Sequence, residues 1–153
     1  MEKITIALQN KGKKALDAIA TLKMALDDMK SVDRIAQSAG ECPKKIYKTF
    51  RDSLVQRFEY TFDLTWKYLG EYLKREGRKI EIETPKAIFR ESLKTKHLSD
   101  DEVRLAIQMV DHRNLTTHGY DEQLIEYICE QISRYYTLLE SILQRTAIHK
   151  YPK

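Results

Sequence analysis

The feature that most constrains the fold is an apolar series that advances by three or four residues through the middle of the chain. Its members are Tyr47, Phe50, Leu54, Phe58, Phe62, Trp66, Leu69 and Leu73. This spacing follows the period of an α-helix, and no proline interrupts it. We therefore predict one helix from Pro43 to Glu76, with Gly77 as its stop. A helix of this length needs other helices to cover its apolar face.

Four further segments have the same helical period. Residues 4–29 carry apolar side chains every seven residues, which predicts a long first helix with a coiled-coil-like seam. A short helix is predicted from the Thr84 cap to about Lys96. Another helix begins at the capping box that opens with Ser99, and the last runs from about Asp121 to Thr146.

Length and composition agree with a helical fold. The chain has 153 residues, of which 33% are charged, and it contains only five glycines and three prolines, a balance that does not suit a sandwich or a disordered chain. Residues 31–42 have few apolar positions, so we expect a connector with one helical turn near residues 34–38. We predict a single all-α domain over residues 1–153: an antiparallel up-and-down bundle of four principal helices plus one short helix.

Charge, cysteines and hydropathy limit the classes of function. The net charge of +4 permits a nucleic-acid partner without requiring one. Cys42 and Cys129 are far apart, and neither they nor the four histidines have the spacing of metal ligands, so we expect no metal and no cofactor. No apolar segment approaches the ~20 residues that span a bilayer, and no signal-like leader is present. We therefore expect a cytoplasmic protein that does not contact membranes.

The stretch from Asp111 to Glu122 concentrates unusual chemistry, because charged, imidazole, amide and hydroxyl side chains crowd there with few apolar ones. In one continuous helix, five steps of about 100° would place Arg113 and His118 roughly 140° apart. We therefore predict that the helix ends between them, with Arg113 on its last turn and His118 and Tyr120 on the turn into the last helix. That geometry would bring a guanidinium, an imidazole and a phenol to one rim.

An arginine and a histidine at one rim suit chemistry on a phosphate. Arginine binds two phosphate oxygens, and histidine exchanges a proton near neutral pH, which are the aids that RNA cleavage by its own 2′-hydroxyl needs. Because one histidine cannot easily be both acid and base, a two-fold dimer would supply a second set. The alternative is structural: Arg113, Asn114, His118 and Asp121 would form only a hydrogen-bonded corner between two helices.

The order Arg113, four residues, His118, one residue, Tyr120 resembles the motif of HEPN-domain proteins. Two other blocks, residues 56–67 and the helix start at residues 84–87, resemble the branch described as the nucleotidyltransferase substrate-binding subunit. The three blocks occur in the same order as in that branch. The resemblance covers about two thirds of the chain, from Pro43 to Leu143.

The resemblance implies a helical homodimer that pairs with a small, separate nucleotidyltransferase of the MNT type. In such pairs the HEPN subunit is an RNase toxin, and the nucleotidyltransferase neutralises it by attaching AMP to the tyrosine of the motif. By this resemblance Arg113 would hold phosphate, His118 would be the general acid or base, and Tyr120 would accept AMP. Supporting site residues are Asn114, which would orient Arg113, and Asp111, Arg57 and Glu59.

The same branch also has an older interpretation as a non-catalytic subunit that presents a substrate to the nucleotidyltransferase. The chain contains neither the acidic pair nor the Gly-Ser loop of a nucleotidyltransferase, so it would not transfer nucleotides itself. For the dimer interface the sequence offers two surfaces. One is the set of aromatic residues Tyr60, Tyr68 and Tyr72, expected to be exposed, and the other is the seam of the first helix.

Overall fold

Helices make up most of the computed structural model, which describes residues 2–117 and 121–148. In chain order they are α1 (Glu2–Lys30), α2 (Val32–Ala39), α3 (Pro43–Arg75), α4 (Pro85–Lys94), α5 (Asp100–Leu115) and α6 (Glu122–Leu143), and a π-helical turn, Gln144–Ile148, follows α6. No strand occurs within the described ranges. The prediction of an all-α bundle is confirmed. None of the described helices is both long and apolar enough to span a membrane.

Contacts between side chains give the directions of the four long helices. The Thr61 hydroxyl on α3 lies 3.2 Å from the Ala18 carbonyl oxygen on α1, and the ion pair Lys11–Glu71 joins the same helices at 3.8 Å. The residue numbers rise on α3 as they fall on α1, so these helices are antiparallel. Arg113 contacts Asp63 and Thr116 contacts Glu59, so α5 and α3 are antiparallel too. His112 contacts Tyr135 and Glu102 contacts Arg145, so the chain also runs in opposite directions along α5 and α6. The bundle is therefore up-and-down, as predicted.

The segment between the first two long helices is more ordered than predicted. Instead of one turn, residues 32–39 form the eight-residue helix α2. Val32 and Ala36 are four residues apart, which is a helical spacing, and both are buried. The sequence signal for this short helix was therefore present in two small apolar side chains. Gly40 ends this helix with a φ of 66°, a left-handed conformation that glycine adopts without strain.

Packing of the bundle buries the α1 seam and two of the three tyrosines that were considered for a dimer interface. Leu8, Ala15 and Leu22 of the α1 seam are buried inside the bundle. Tyr68 and Tyr72 are 0% and 4% exposed, so the expectation that they are surface aromatic residues was wrong. Tyr60 and Tyr68 are eight residues apart on α3, so their side chains differ by about 80° around the helix axis. That rotation is enough to place one ring at the edge of the interface and the other in the core.

Only Tyr60 of the three tyrosines is exposed, at 57%. The close approach at Tyr68 depends on a glycine of α1. A Cβ atom added at Gly12 would lie 2.9 Å from the Tyr68 ring, which is closer than packed carbon atoms come. Gly12 therefore sits where the sequence of α1 leaves room for the tyrosine ring.

The predicted helix starts are confirmed by their capping hydrogen bonds. The Thr84 side chain accepts from the Ala87 amide at 3.2 Å, and Ser99 and Glu102 form a reciprocal capping box at the start of α5. The Asp121 side chain caps α6 by accepting from the amide of Gln123 at 3.0 Å. These caps fix where α5 and α6 begin, and the Asp121 cap fixes the side of the polar stretch that leads into α6.

Candidate functional site

Arg113 lies on the last turn of α5, as predicted, and its guanidinium is held by two carboxylates of α3. Its Nη1 donates to Glu59 at 2.8 Å. Its Nη2 and Nε face the two oxygens of Asp63 at 3.2 and 3.4 Å. The side chain is 19% exposed. Because two helices define this arrangement, the orientation of the guanidinium is fixed before any ligand arrives.

Thr116, three residues after Arg113 at the end of α5, also belongs to this cluster. Its hydroxyl oxygen lies 2.8 Å from the Glu59 carboxylate and 2.7 Å from the Arg113 carbonyl oxygen. The number of Arg113 N–H groups that are still free decides how many hydrogen bonds the guanidinium can donate to a ligand. Three of the five N–H groups face carboxylates, which leaves one on each terminal nitrogen, and Nη1 also lies 3.5 Å from the Thr116 oxygen.

The sign of the charge around Arg113 is negative. One guanidinium faces two carboxylates, so Arg113, Glu59 and Asp63 together carry a net charge of −1 when all three are ionised. An open cleft of about 400 Å³ lies beside the cluster and contains Asp52 and Glu59 among its lining residues. Thr117, the last described residue before the α5–α6 connection, also lines this cleft. A phosphate in this cleft would need further positive charge.

Two of the predicted site residues, His118 and Tyr120, lie outside the described residues, between Thr117 and Asp121. Their predicted roles stay predictions. Glu59, which the sequence marks as a supporting residue, is in contact with Arg113 at 2.8 Å. The second resembling block and the motif thus meet in space.

The other supporting residues do not join this cluster. Asp111 forms an ion pair with Lys86 at 2.7 Å, which ties the start of α4 to α5. The Asn114 side chain is exposed and has no hydrogen bond to Arg113, so the expected orienting contact does not form among the described residues. Arg57 points away from Glu59, because residues two apart on a helix differ by about 200°. Its Nε lies 3.4 Å from the Ser53 hydroxyl.

A second ion-pair cluster, which the sequence analysis missed, fixes the start of α6. Arg51 of α3 is 3% exposed and donates to Glu122 at 2.5 Å and to Glu126 at 2.9 Å. Tyr47 donates to Glu126 as well. Hydrogen bonding to Arg51 lowers the pKa of Glu122, whereas burial and then the bond to Glu126 raise the pKa of Tyr47. The cluster clamps the first turns of α6, directly after the motif.

The sequence did contain a signal for this clamp. Arg51 lies three residues before Leu54 and seven before Phe58, both of which are buried, so it occupies the apolar face of α3. A buried arginine is stable only where carboxylates meet it. The sequence could not identify Glu122 and Glu126 as those carboxylates, because the pairing depends on how α3 and α6 pack.

His112, beside Arg113, anchors the other side of the motif from within the core. It is 9% exposed, its Nδ1 lies 2.5 Å from the Tyr135 hydroxyl oxygen, and Gln108 donates to the same oxygen at 2.9 Å. The Tyr127 ring packs edge-on against the imidazole, with centroids 5.5 Å apart. Burial lowers the pKa of His112, which favours the neutral ring, and a neutral ring with its proton on Nε2 accepts a hydrogen bond at Nδ1 from the Tyr135 hydroxyl. The sequence analysis assigned this histidine no role.

Metal ligation has no support in the part of the chain that the structure describes. No group of three or more His, Cys, Asp or Glu side chains there could hold a metal ion. Cys42 and Cys129 are free thiols. Burial raises the pKa of Cys129 to about 12, which keeps that thiol protonated at neutral pH.

The polar cluster joins the end of α5 to α3. The candidate site therefore lies between helices of a bundle, not on a sheet or at a phosphate-binding loop. A family model for nucleotidyltransferase substrate binding protein-like chains matches residues 13–147. The chain belongs to this nucleotidyltransferase substrate binding protein-like family.

A solved structure agrees with the fold. A crystal structure of a protein from Thermus thermophilus is 38% identical to this chain, covers 86% of it and 97% of its own length, and superposes with a TM-score of 0.68. Among curated proteins no sequence matches the chain. The family therefore rests on the match to the family model, and the fold is shared with this solved structure.

Proposed function

We propose that the chain acts in the cytoplasm as the HEPN-type toxin of a two-protein toxin–antitoxin pair. In this proposal it is a metal-independent RNase whose site contains Arg113 and His118, and a nucleotidyltransferase of the MNT type neutralises it by transferring AMP to Tyr120. One observation carries the proposal: Arg113 of the motif is preorganised at the end of α5 by Glu59, a residue of the second family block, at 2.8 Å.

The proposed chemistry uses the RNA's own nucleophile. The 2′-hydroxyl loses its proton to a base, its oxygen attacks the adjacent phosphorus, and the bond from phosphorus to the 5′-oxygen breaks. The leaving 5′-oxygen takes a proton from an acid, and the products are a 2′,3′-cyclic phosphate and a free 5′-hydroxyl. His118 would exchange one of these protons, and Arg113 would stabilise the charge that develops on the phosphoryl oxygens.

The carboxylates near Arg113 make a second subunit part of the proposal. The cluster of Arg113, Glu59 and Asp63 carries a net negative charge, so one chain alone attracts a phosphate poorly. A homodimer that brings two motifs together across a two-fold axis would supply a second arginine and a second histidine. One histidine could then act as base while the other acts as acid.

AMP on Tyr120 would inactivate such a site in two ways, by its negative charge and by the space that it occupies. The modified tyrosine stands two residues from His118 and three from Thr117, which lines the cleft beside Arg113. An added phosphodiester would occupy space near the motif and repel an RNA phosphate electrostatically. Tyr120 is therefore proposed as the acceptor, and the MNT-type nucleotidyltransferase as the partner.

A second candidate is a non-catalytic subunit that binds a small substrate for the nucleotidyltransferase. The family description favours it, and so does the acidic lining of the cleft of about 400 Å³, which contains Asp52 and Glu59. Such a lining suits a cationic substrate rather than RNA. In that case Arg113 would serve as the structural centre of the cluster.

RNA cleavage separates the two candidates. Purified wild-type chain is incubated with RNA in excess chelator, and the ends of the products are identified. The toxin proposal expects cyclic phosphate ends, and it expects their loss in His118→Ala and Arg113→Ala. Arg104→Ala is the matched control, because Arg104 is also on α5 but its side chain is 82% exposed. An inactive wild type that still binds a nucleotidyltransferase and a cationic substrate would reject the toxin proposal.

A further inference from the structure

A second groove, distinct from the acidic cleft, runs between α1 and α3. It has a volume of about 460 Å³, and its walls are residues spaced by three and four along 14–21 of α1 and 53–60 of α3. The helices approach closely at this point: the Thr61 hydroxyl oxygen lies 2.7 Å from the Arg57 carbonyl oxygen of its own helix and 3.2 Å from the Ala18 carbonyl oxygen of α1. The groove thus has firm walls, and its volume lies within the ~300–1,000 Å³ typical of ligand sites.

The walls of this α1–α3 groove are cationic and aromatic. Lys14 and Arg57 bring two positive charges against the single negative charge of Asp17, so the groove carries a net charge of +1. Tyr60 presents a ring that is 57% exposed. Exposed aromatic rings beside cations are the means by which proteins hold single-stranded nucleic acid, since every base can stack and every linkage carries a phosphate.

The cations of the groove are not neutralised by carboxylates. Among the described residues, neither Lys14 nor Arg57 forms an ion pair. Arg57 has only a long contact, 3.4 Å, with the Ser53 hydroxyl. This differs from Arg51 and Arg113, each of which faces two carboxylates at 2.5 to 3.2 Å. A phosphate would therefore be attracted more strongly to the groove than to the acidic cleft.

The groove and the acidic cleft are neighbours. Gln56 lines both of them, and the cleft reaches Thr117 at the start of the motif connection. A strand that lies along the groove can therefore continue over Gln56 toward Arg113. Such a route would begin at Lys14 and Arg57 and would pass the acidic lining of the cleft before it reached the motif.

We propose that the α1–α3 groove binds single-stranded RNA, with a base stacked on Tyr60 and backbone phosphates held by Lys14 and Arg57. The groove would guide the strand over Gln56 to the Arg113 motif, a step that rests on the proposed RNase function. This assignment gives Arg57 a role separate from the Glu59–Arg113 cluster. It also supplies positive charge that the cluster itself lacks.

The test measures binding apart from cleavage. A short fluorescein-labelled single-stranded RNA is titrated with His118→Ala protein, and anisotropy gives the affinity. Tyr60→Ala is expected to weaken binding about fivefold to a hundredfold, while Tyr60→Phe retains stacking and most of the affinity. Arg57→Ala is expected to weaken binding and to reduce the slope of log affinity against log salt by about 0.7. Arg104→Ala, on α5, is the charge-matched control and is expected to bind as the parent does.

Each other outcome overturns one specific claim. If Tyr60→Ala and Arg57→Ala bind as tightly as the parent while the wild type cleaves RNA, the groove proposal is wrong and the RNase proposal stands. If binding depends on Tyr60 but the wild type cleaves nothing, the groove stands and the RNase proposal falls. If duplex RNA of the same sequence binds equally well, stacking on Tyr60 is refuted. If Tyr60→Ala converts a dimer to a monomer in sedimentation, the groove is a contact between two copies instead.

Discussion

The buried pair His112 and Tyr135 predicts a specific dependence of stability on pH. Burial lowers the pKa of His112, whereas a histidine in the unfolded chain titrates near pH 6.5. Between the lowered pKa of the folded state and pH 6.5, the unfolded chain therefore binds up to one more proton than the folded chain at this site. The contribution of neutral His112 is complete above pH 6.5 and is lost as the pH falls toward the lowered pKa of the folded state. The slope is at most about 1.4 kcal/mol per pH unit.

Two substitutions isolate this contribution. His112→Phe keeps a ring against Tyr127 but leaves the Tyr135 hydroxyl, 0% exposed as a residue, without its acceptor. We expect a cost of about 1–3 kcal/mol at pH 7.5, which is the usual cost of an unsatisfied buried hydroxyl. The double variant with Tyr135→Phe removes both partners of this bond and leaves only the half-buried Gln108 amide without its acceptor, so we expect it to regain part of that loss.

Urea unfolding between pH 7.5 and 5.5 provides the measurement. The wild type is expected to lose stability more steeply than either variant over this range. The other histidines are present in all three proteins, so the difference in slope reports His112. Equal slopes would show that His112 is not held neutral in the folded chain, and a double variant less stable than the single one would contradict the proposed hydrogen bond.

Two further predictions concern packing and capping. Gly12→Ala is expected to lower the thermal unfolding temperature, because the overlap with the Tyr68 ring at 2.9 Å costs about 1–3 kcal/mol and outweighs a gain in helix propensity of ~1 kcal/mol. Gly70→Ala is the control and should be nearly neutral, since its Cβ would meet only the end of an isoleucine side chain at 3.1 Å. Hydrogen bonding from Arg145 lowers the pKa of Glu102, so its contribution is lost as the pH falls below about 4.5. Glu102→Gln should cost about 0.5–2 kcal/mol at neutral pH in urea unfolding and should remove that acid-side loss.

Periodicity was sufficient to predict the long helices, because each buries one continuous stripe. Pro43, Thr84 and Ser99 also marked three helix starts correctly, since capping is a local interaction. The exposure of Tyr68 was mispredicted because a ring on the edge of the apolar stripe is buried or exposed according to the neighbouring helix. Here Gly12 of α1 admits the ring, and this partner is fifty-six residues away in sequence.

The candidate site was predictable in its residues but not in its electrostatics. The sequence placed Arg113 at the end of α5 and marked Glu59, which contacts it at 2.8 Å. It did not indicate Asp63, the second carboxylate, because an acidic residue on an amphipathic helix is ordinarily solvated. The negative charge around Arg113 follows from packing two helices together, and it is the reason why the proposed function needs a second subunit and an additional cationic surface.

The central claim is that this chain is itself the target of a nucleotidyltransferase, with Tyr120 as the acceptor. The most direct measurement is the intact mass of the chain after co-expression with its partner nucleotidyltransferase, compared with the chain expressed alone. The proposal predicts that the co-expressed wild type gains the mass of one or more AMP groups, that peptide mapping places AMP on Tyr120, and that Tyr120→Phe gains none. An unmodified wild type in a stable complex with an active nucleotidyltransferase, or an equal gain in Tyr120→Phe, would contradict it.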